Sequence, residues 1–208
     1  MNWKKNHIEN FKMKKILTLL FIGFATAAFA QFDTHMASAK AEYSKGNLEA
    51  SRFAMQQMMT ELDIQIGKEI LTLLPTKFDA LAANTKNDNV TANTGITGCL
   101  IHRDYGTETK DAHIEIMSNS PLIASINAIL AIPFMGNSGD GTQKVVKVAG
   151  YKSILQKAVN TETNTENYTL QIPLSSTLLT LYADNSNEAE ILKWANTIPV
   201  DKIAKMIQ

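Results

Sequence analysis

The sequence predicts an α+β protein, with an N-terminal helical hairpin followed by a mostly antiparallel sheet of about six strands packed against two helices. Two observations support this fold class. Before Pro75, apolar residues recur every three or four positions, which is the spacing of a helix. After residue 96, several short segments alternate apolar and polar residues, and short turns join them, which predicts antiparallel strands.

The hairpin is predicted over residues 31–83. Its long helix starts after Gly46, where Asn47 can cap the first turn, and ends before Pro75. The apolar positions of this helix are Leu48, Met55, Met59, Leu62, Ile66, Ile70 and Leu73. A shorter helix over 36–43 precedes it. The polar, turn-rich segment 84–96 predicts a linker loop, and 97–208 then form the α+β domain.

Within that domain, strands are predicted over 97–105, 109–118, 143–150, 151–159, 166–174 and 176–184. Between the second and third strands, Ser120 is a candidate N-cap with Pro121 at the first helical position, and Pro133 ends that helix. A glycine-rich loop over 136–142 follows. Ser186 is a candidate cap for the next helix, which Pro199 breaks before a short amphipathic helix closes the chain.

Residues 1–30 have the pattern of a cleaved signal peptide. Lys14 and Lys15 precede an apolar run over 16–27, and Ala28 and Ala30 supply the small residues of a cleavage site. The sequence therefore predicts an exported protein, periplasmic or secreted, cleaved after Ala30. Translation then starts at either Met1 or Met13. No second long apolar run follows, so the mature chain is predicted to have no membrane span.

Composition narrows the classes of partner. The whole chain carries 20 basic and 20 acidic residues, and residues 1–30 hold five of the lysines but only one glutamate. The mature chain is therefore mildly acidic and has no basic block, which makes nucleic acid a poor electrostatic match. The single cysteine, Cys99, lies in a strand-like context and is predicted to be a buried apolar residue.

The sequence contains no G-x-S-x-G, H-E-x-x-H or C-x-x-C motif, so it predicts no catalytic residue and no cofactor. Two histidines, His102 and His113, lie on adjacent predicted strands. With a turn over 106–109, they would face each other across the hairpin, with Asp104, Asp111 or Glu115 nearby. Zinc or copper could bind such a group. Solvent-facing or hydrogen-bonded histidines are the alternative interpretation.

Several segments between residues 70 and 207 resemble exported bacterial proteins of unknown function. They are "ILTLLPTKFDAL", "IHRDY", "SNSPLIASINAIL", "KVVKVAGYKSIL" and "LLTLYADNSNEAEILKWANTIPVDKIAKM". The order of elements is also similar to the PsbP/Mog1-like α+β fold. This resemblance implies a fold and carries no catalytic residue onto the chain.

Three functional hypotheses follow from the sequence. The first is a non-enzymatic accessory or binding protein whose helical hairpin docks a protein partner or a second copy of the chain. The second is a carrier of a small apolar ligand or lipid, with Met55, Met58 and Met59 as adaptable lining residues. The third is a metal-binding protein or enzyme that uses His102 and His113.

Overall fold

The computed structural model describes residues 31–92, 98–107, 110–132, 139 and 141–207. The predicted signal peptide therefore lies outside the described residues, as does most of the predicted loop over 136–142.

The N-terminal hairpin contains two helices. Residues 31–44 are helical (α1), and Leu48–Leu73 form the 26-residue helix α2. Gly46, with φ of +77°, turns the chain between them, and the backbone N–H of Ala50 donates to Asn47 Oδ1 at 3.3 Å. The predicted cap at Asn47 is confirmed. The chain forms two compact units, Met1–Leu62 and Asp63–Gln208, so the boundary between them lies inside α2.

The second unit contains a seven-stranded antiparallel sheet, which confirms the α+β class. Its strands lie in the order β3-β4-β5-β9-β8-β7-β6. A separate two-stranded ribbon, β1-β2, follows α2. The strands are β1 Lys77–Phe78, β2 Leu81–Ala82, β3 Asn89–Ala92, β4 Cys99–Thr107, β5 Lys110–Met117, β6 Gln143–Val148, β7 Tyr151–Asn160, β8 Thr165–Leu174 and β9 Thr177–Ala183.

The two faces of the sheet pack against different helices. One face carries the main core, to which α4 (Glu188–Ala195), α5 (Val200–Met206) and the end of α2 contribute. On this side Gly67 brings α2 close to the sheet, since a Cβ there would stand 2.5 Å from Val90 Cγ1. On the other face, Ile126 of α3 (Ile123–Ala131) packs with Ile154 and Leu178.

The structure corrects the prediction of a loop over 84–96. Asn89–Ala92 form strand β3, which pairs antiparallel with β4 at the edge of the sheet. The segment "NVTA" alternates polar and apolar residues, but it is only four residues long, and of these Val90 packs against the core. Within a polar, turn-rich stretch, so short an alternation does not distinguish a strand from a loop.

Two predicted helix caps were also wrong. Helix α3 starts at Ile123, with Leu122 at its N-cap position and no side-chain cap hydrogen bond, and the Ser120 hydroxyl accepts from the N–H of Leu122 at 3.3 Å. Helix α4 is capped by Asn187 instead of Ser186, because the Asn187 side chain accepts from the N–H of Glu190. Ser186 bonds the Glu190 carboxylate instead. At α4 the two polar residues Ser186 and Asn187 precede the helix, and spacing alone does not decide which one caps it. At α3 the N-cap position is held by Leu122, which has no side-chain cap.

Candidate functional site

The two hairpin helices approach each other closely through small residues. Ala39 of α1 and Ser51 and Ala54 of α2 are all buried. The Ser51 hydroxyl donates to the backbone carbonyl of Ala39 at 2.9 Å. Because this contact is built from small side chains, the larger apolar residues of the hairpin lie elsewhere on its surface.

Large apolar side chains are exposed on this hairpin. Of the eleven exposed large apolar residues in the described part of the chain, seven lie between residues 36 and 62. They are Met36, Tyr43, Leu48, Phe53, Met55, Met59 and Leu62. Isolated exposed apolar residues are ordinary, but a concentration of them in one short segment is typical of an interaction surface.

Four of these residues form one line along α2, which we call the α2 stripe: Leu48, Met55, Met59 and Leu62. Spacings of seven, four and three place them within about 40° of a common direction on the helix. Their side chains are 64%, 50%, 43% and 43% exposed. The stripe is therefore an apolar helix surface of which about half is exposed in the described part of the chain.

A second candidate site lies on the sheet face that carries α3. His102 and Asp104 of β4, His113 and Glu115 of β5, and Tyr182 of β9 form what we call the histidine cluster. His102 Nε2 lies 2.8 Å from Asp104 Oδ1, and His102 Nδ1 lies 3.7 Å from Glu115 Oε1. The ring of His113 stacks on Tyr182 at 4.2 Å and lies 5.5 Å from the ring of His102.

The predicted register of this hairpin was two residues away from the observed one. His102 pairs with Glu115, and Asp104 pairs with His113, so the histidines are diagonal neighbours on one face. Gly106 and Thr107, which were predicted in the turn, belong to β4, where Thr107 pairs with Lys110 of β5. An even shift keeps every side chain on its predicted face, which is why the two rings still meet.

Several titratable groups in and near the histidine cluster have shifted pKa values. Burial lowers the pKa of His113, although Glu115 acts in the opposite direction. Burial also acts to raise the pKa of Asp104, but hydrogen bonds from Asn87 and His102 outweigh it, and the pKa is lowered. At the turn end of the same strands, burial and the charge of Asp184 raise the pKa of Asp111.

These shifts predict how stability depends on pH. Burial disfavours the protonated form of His113 in the folded protein. As the pH falls, the unfolded chain therefore takes up a proton at this histidine before the folded protein does, near the ordinary pKa of 6.5. We expect the free energy of unfolding to fall as the pH drops below about 6.5, and His113→Gln to reduce that slope. Urea titrations of both proteins between pH 5 and pH 8 measure it. An equal slope in both proteins would contradict the prediction.

The histidine cluster lacks a complete set of metal ligands among the described residues. Among the described residues, no group of three or more His, Cys, Asp or Glu side chains is arranged to hold a metal ion. The structure thus brings His102 and His113 together but supplies no complete ligand set. Asn87 and Tyr182 were missing from the sequence prediction. Tyr182 reaches the cluster through the β5–β9 pairing, which joins segments too far apart in the sequence to be predicted from local pattern.

A surface pocket of about 260 Å³ lies at the β6–β7–β8 end of the sheet. Its lining is Thr142, Gln143, Gln156, Lys157, Ala158 and Thr169. Five of these six residues have polar side chains, and Ala158 is the exception. The methionines of the second hypothesis lie elsewhere, since Met55 and Met59 are exposed on α2.

Among the helices in the described part of the chain, none combines the length and the apolar character needed to cross a membrane. Comparison of the chain with protein-family models, with curated proteins and with solved structures found no match.

Proposed function

We propose that this chain is an exported, non-enzymatic accessory protein that binds a protein partner through its N-terminal hairpin. The observation that carries the proposal is the α2 stripe, with four large apolar side chains between 43% and 64% exposed. Leaving such a surface in water is unfavourable, and docking a partner removes it from water. Export rests on the signal-peptide pattern of residues 1–30.

The two units of the chain pack their large apolar residues differently, and this difference supports the proposal. In the second unit, the sheet and helices bury a continuous apolar core that includes Ile70 of α2 and Leu74, which follows the helix. In the first unit, the contact between α1 and α2 uses Ala39, Ser51 and Ala54 and leaves the larger residues outside. The stripe therefore contributes little to the hairpin's own packing, which makes a partner the simplest reason for its composition.

Photocrosslinking in the cell envelope tests the proposal. A photoreactive residue at Met55 should give one discrete protein adduct, and the variant Met59→Lys should abolish that adduct because a charge cannot be buried in the interface. Gln56→Lys is the matched control, since Gln56 is exposed on the same helix outside the stripe. Absence of an adduct, or an adduct that survives Met59→Lys, would reject the proposal.

The histidine cluster supports a second candidate, a metal-binding or enzymatic role for His102 and His113. The specific observation is their ring separation of 5.5 Å beside the carboxylate of Asp104. The purified protein would then hold zinc or copper, and His102→Ala with His113→Ala would remove it. Equal metal content in both proteins would reject this candidate.

A further inference from the structure

Helix α2 carries a regular pattern of apolar and charged residues along one side. Eight of its positions follow alternating steps of four and three residues, which is the spacing of a coiled-coil seam. They are Leu48, Arg52, Met55, Met59, Leu62, Ile66, Glu69 and Leu73. Six of the eight are apolar, and the two exceptions carry opposite charges.

Six of the eight seam positions are exposed. They are the four residues of the α2 stripe together with Arg52 and Glu69. Ile66 and Leu73 are partly buried, where they pack at the edge of the core. Neither Arg52 nor Glu69 takes part in the ion pairs formed between described residues. Both charges are therefore available to a partner.

We propose that the partner is a second copy of this chain, with the two α2 helices antiparallel. The inference rests on the proposed function and names its partner. When Met59 faces Leu62 of the second copy, every other seam position meets a suitable residue. Met55 faces Ile66, Arg52 faces Glu69, and Leu48 faces Leu73. Twofold symmetry repeats each layer once, so the dimer contains two Arg–Glu layers among apolar ones.

The charges decide between this register and its neighbours. A shift of one heptad, with Met55 facing Met59, would place Arg52 against the apolar side chain of Leu62. The opposite shift, with Leu62 facing Ile66, would place Glu69 against Met59. A parallel pair in register would bring each charge against its own copy, which is unfavourable. Among these arrangements, the chosen register alone pairs Arg52 with Glu69.

A membrane surface fits the seam less well than a second copy does. Interfacial helices that bind anionic lipid are rich in lysine and arginine on their polar face. Residues 31–62 contain three basic residues, Lys40, Lys45 and Arg52, against four acidic ones. The balance of both signs suits a self-complementary protein interface better.

A charge swap tests the register. In sedimentation equilibrium of the purified protein, Arg52→Glu should raise the dimer dissociation constant at least tenfold, and so should Glu69→Arg. The double variant should return the constant to within about threefold of the original, since it restores both layers with inverted polarity. Lys68→Glu is the matched control, because Lys68 is exposed on α2 outside the seam. Failure of the double variant to recover would overturn the register.

Cysteine crosslinking tests the orientation. Met55→Cys with Ile66→Cys in one chain should give a disulfide-linked dimer. Met55→Cys alone should not, because position 55 of one copy then lies opposite position 66 of the other. The two introduced cysteines would stand eleven residues apart, or roughly 16 Å along the helix. Native Cys99 is 3% exposed and does not compete. A dimer linked by Met55→Cys alone would show parallel pairing and overturn the inference.

The two proposals fail in different ways. A monomeric protein that still gives a Met55 adduct with another protein would overturn the second-copy inference and leave the proposed function standing. A monomeric protein without any such adduct would overturn both.

Discussion

Trp194→Ala should lower the free energy of unfolding by about 3–5 kcal/mol, the usual cost of deleting a large buried aromatic side chain. Trp194 is 2% exposed and stacks on Phe78, with ring centroids 5.6 Å apart. Phe78 in turn contacts Tyr105 at 4.2 Å. The indole N–H donates to Asp79 Oδ2 at 2.8 Å. The substitution therefore leaves a cavity between α4 and the β1–β2 ribbon and an unused acceptor.

Urea denaturation followed by far-UV circular dichroism measures this loss without relying on tryptophan fluorescence. Trp194→Phe is the control, because it keeps an aromatic ring in the core but removes the indole N–H. We expect it to cost roughly 1–2 kcal/mol, which separates the hydrogen bond and small volume loss from the full cavity. A loss below 1 kcal/mol for Trp194→Ala would show that the ribbon closes over the gap.

Asp88→Ala should destabilise the protein by about 3 kcal/mol, because it leaves a buried guanidinium without its counter-charge. Arg103 is 6% exposed and faces the core from β4. Its Nε and Nη2 donate to the two carboxylate oxygens of Asp88 at 2.8 and 2.5 Å. This hydrogen bonding to Asp88 raises the pKa of Arg103. A guanidinium stays protonated even without such a partner, so loss of its charge cannot relieve the penalty in the variant.

A double-mutant cycle separates the coupling free energy between Arg103 and Asp88 from the cost of burying each charge. Arg103→Met alone removes the charge that needs compensation, and we expect the combination of Arg103→Met with Asp88→Ala to recover most of the stability that Asp88→Ala loses. Thermal and urea unfolding of the four proteins give the coupling free energy. Additive losses would mean that Arg103 is sufficiently stabilised without Asp88, for example by the hydrogen bond that its Nη1 already donates to the carbonyl of Leu74 at 3.4 Å.

The sequence was most informative where one face of an element is buried and the other is not. Strand β5 alternates buried Ala112, Ile114 and Ile116 with half-buried polar residues, and this is the pattern from which it was predicted. Helix α2 was predicted with nearly its observed ends, because Asn47 and Pro75 mark both. In such elements, local pattern and tertiary packing favour the same structure.

The remaining features depend on contacts that local pattern does not encode. Strand β3 is held by pairing with β4 and by the Asp88–Arg103 ion pair next to it, neither of which is visible in "NVTA". The histidines were expected to meet, but their exact pairing follows from the register of β4 and β5, which the sequence pattern alone did not determine. Tyr182 joins them only after β9 has found β5.

That last pairing has a consequence for the route of folding. The seven-stranded sheet consists of two meanders of neighbouring strands, β3-β4-β5 and β6-β7-β8-β9, and it becomes one sheet only through β5 and β9. Each meander can form from contacts that are local in the chain, whereas the β5–β9 ladder closes a long loop that contains α3 and three other strands. Loop closure on this scale costs entropy before it returns contact energy. We therefore expect the docking of the two meanders to be the late, slow step of folding, and until it is complete both β5 and β9 present open edges that could pair with another chain.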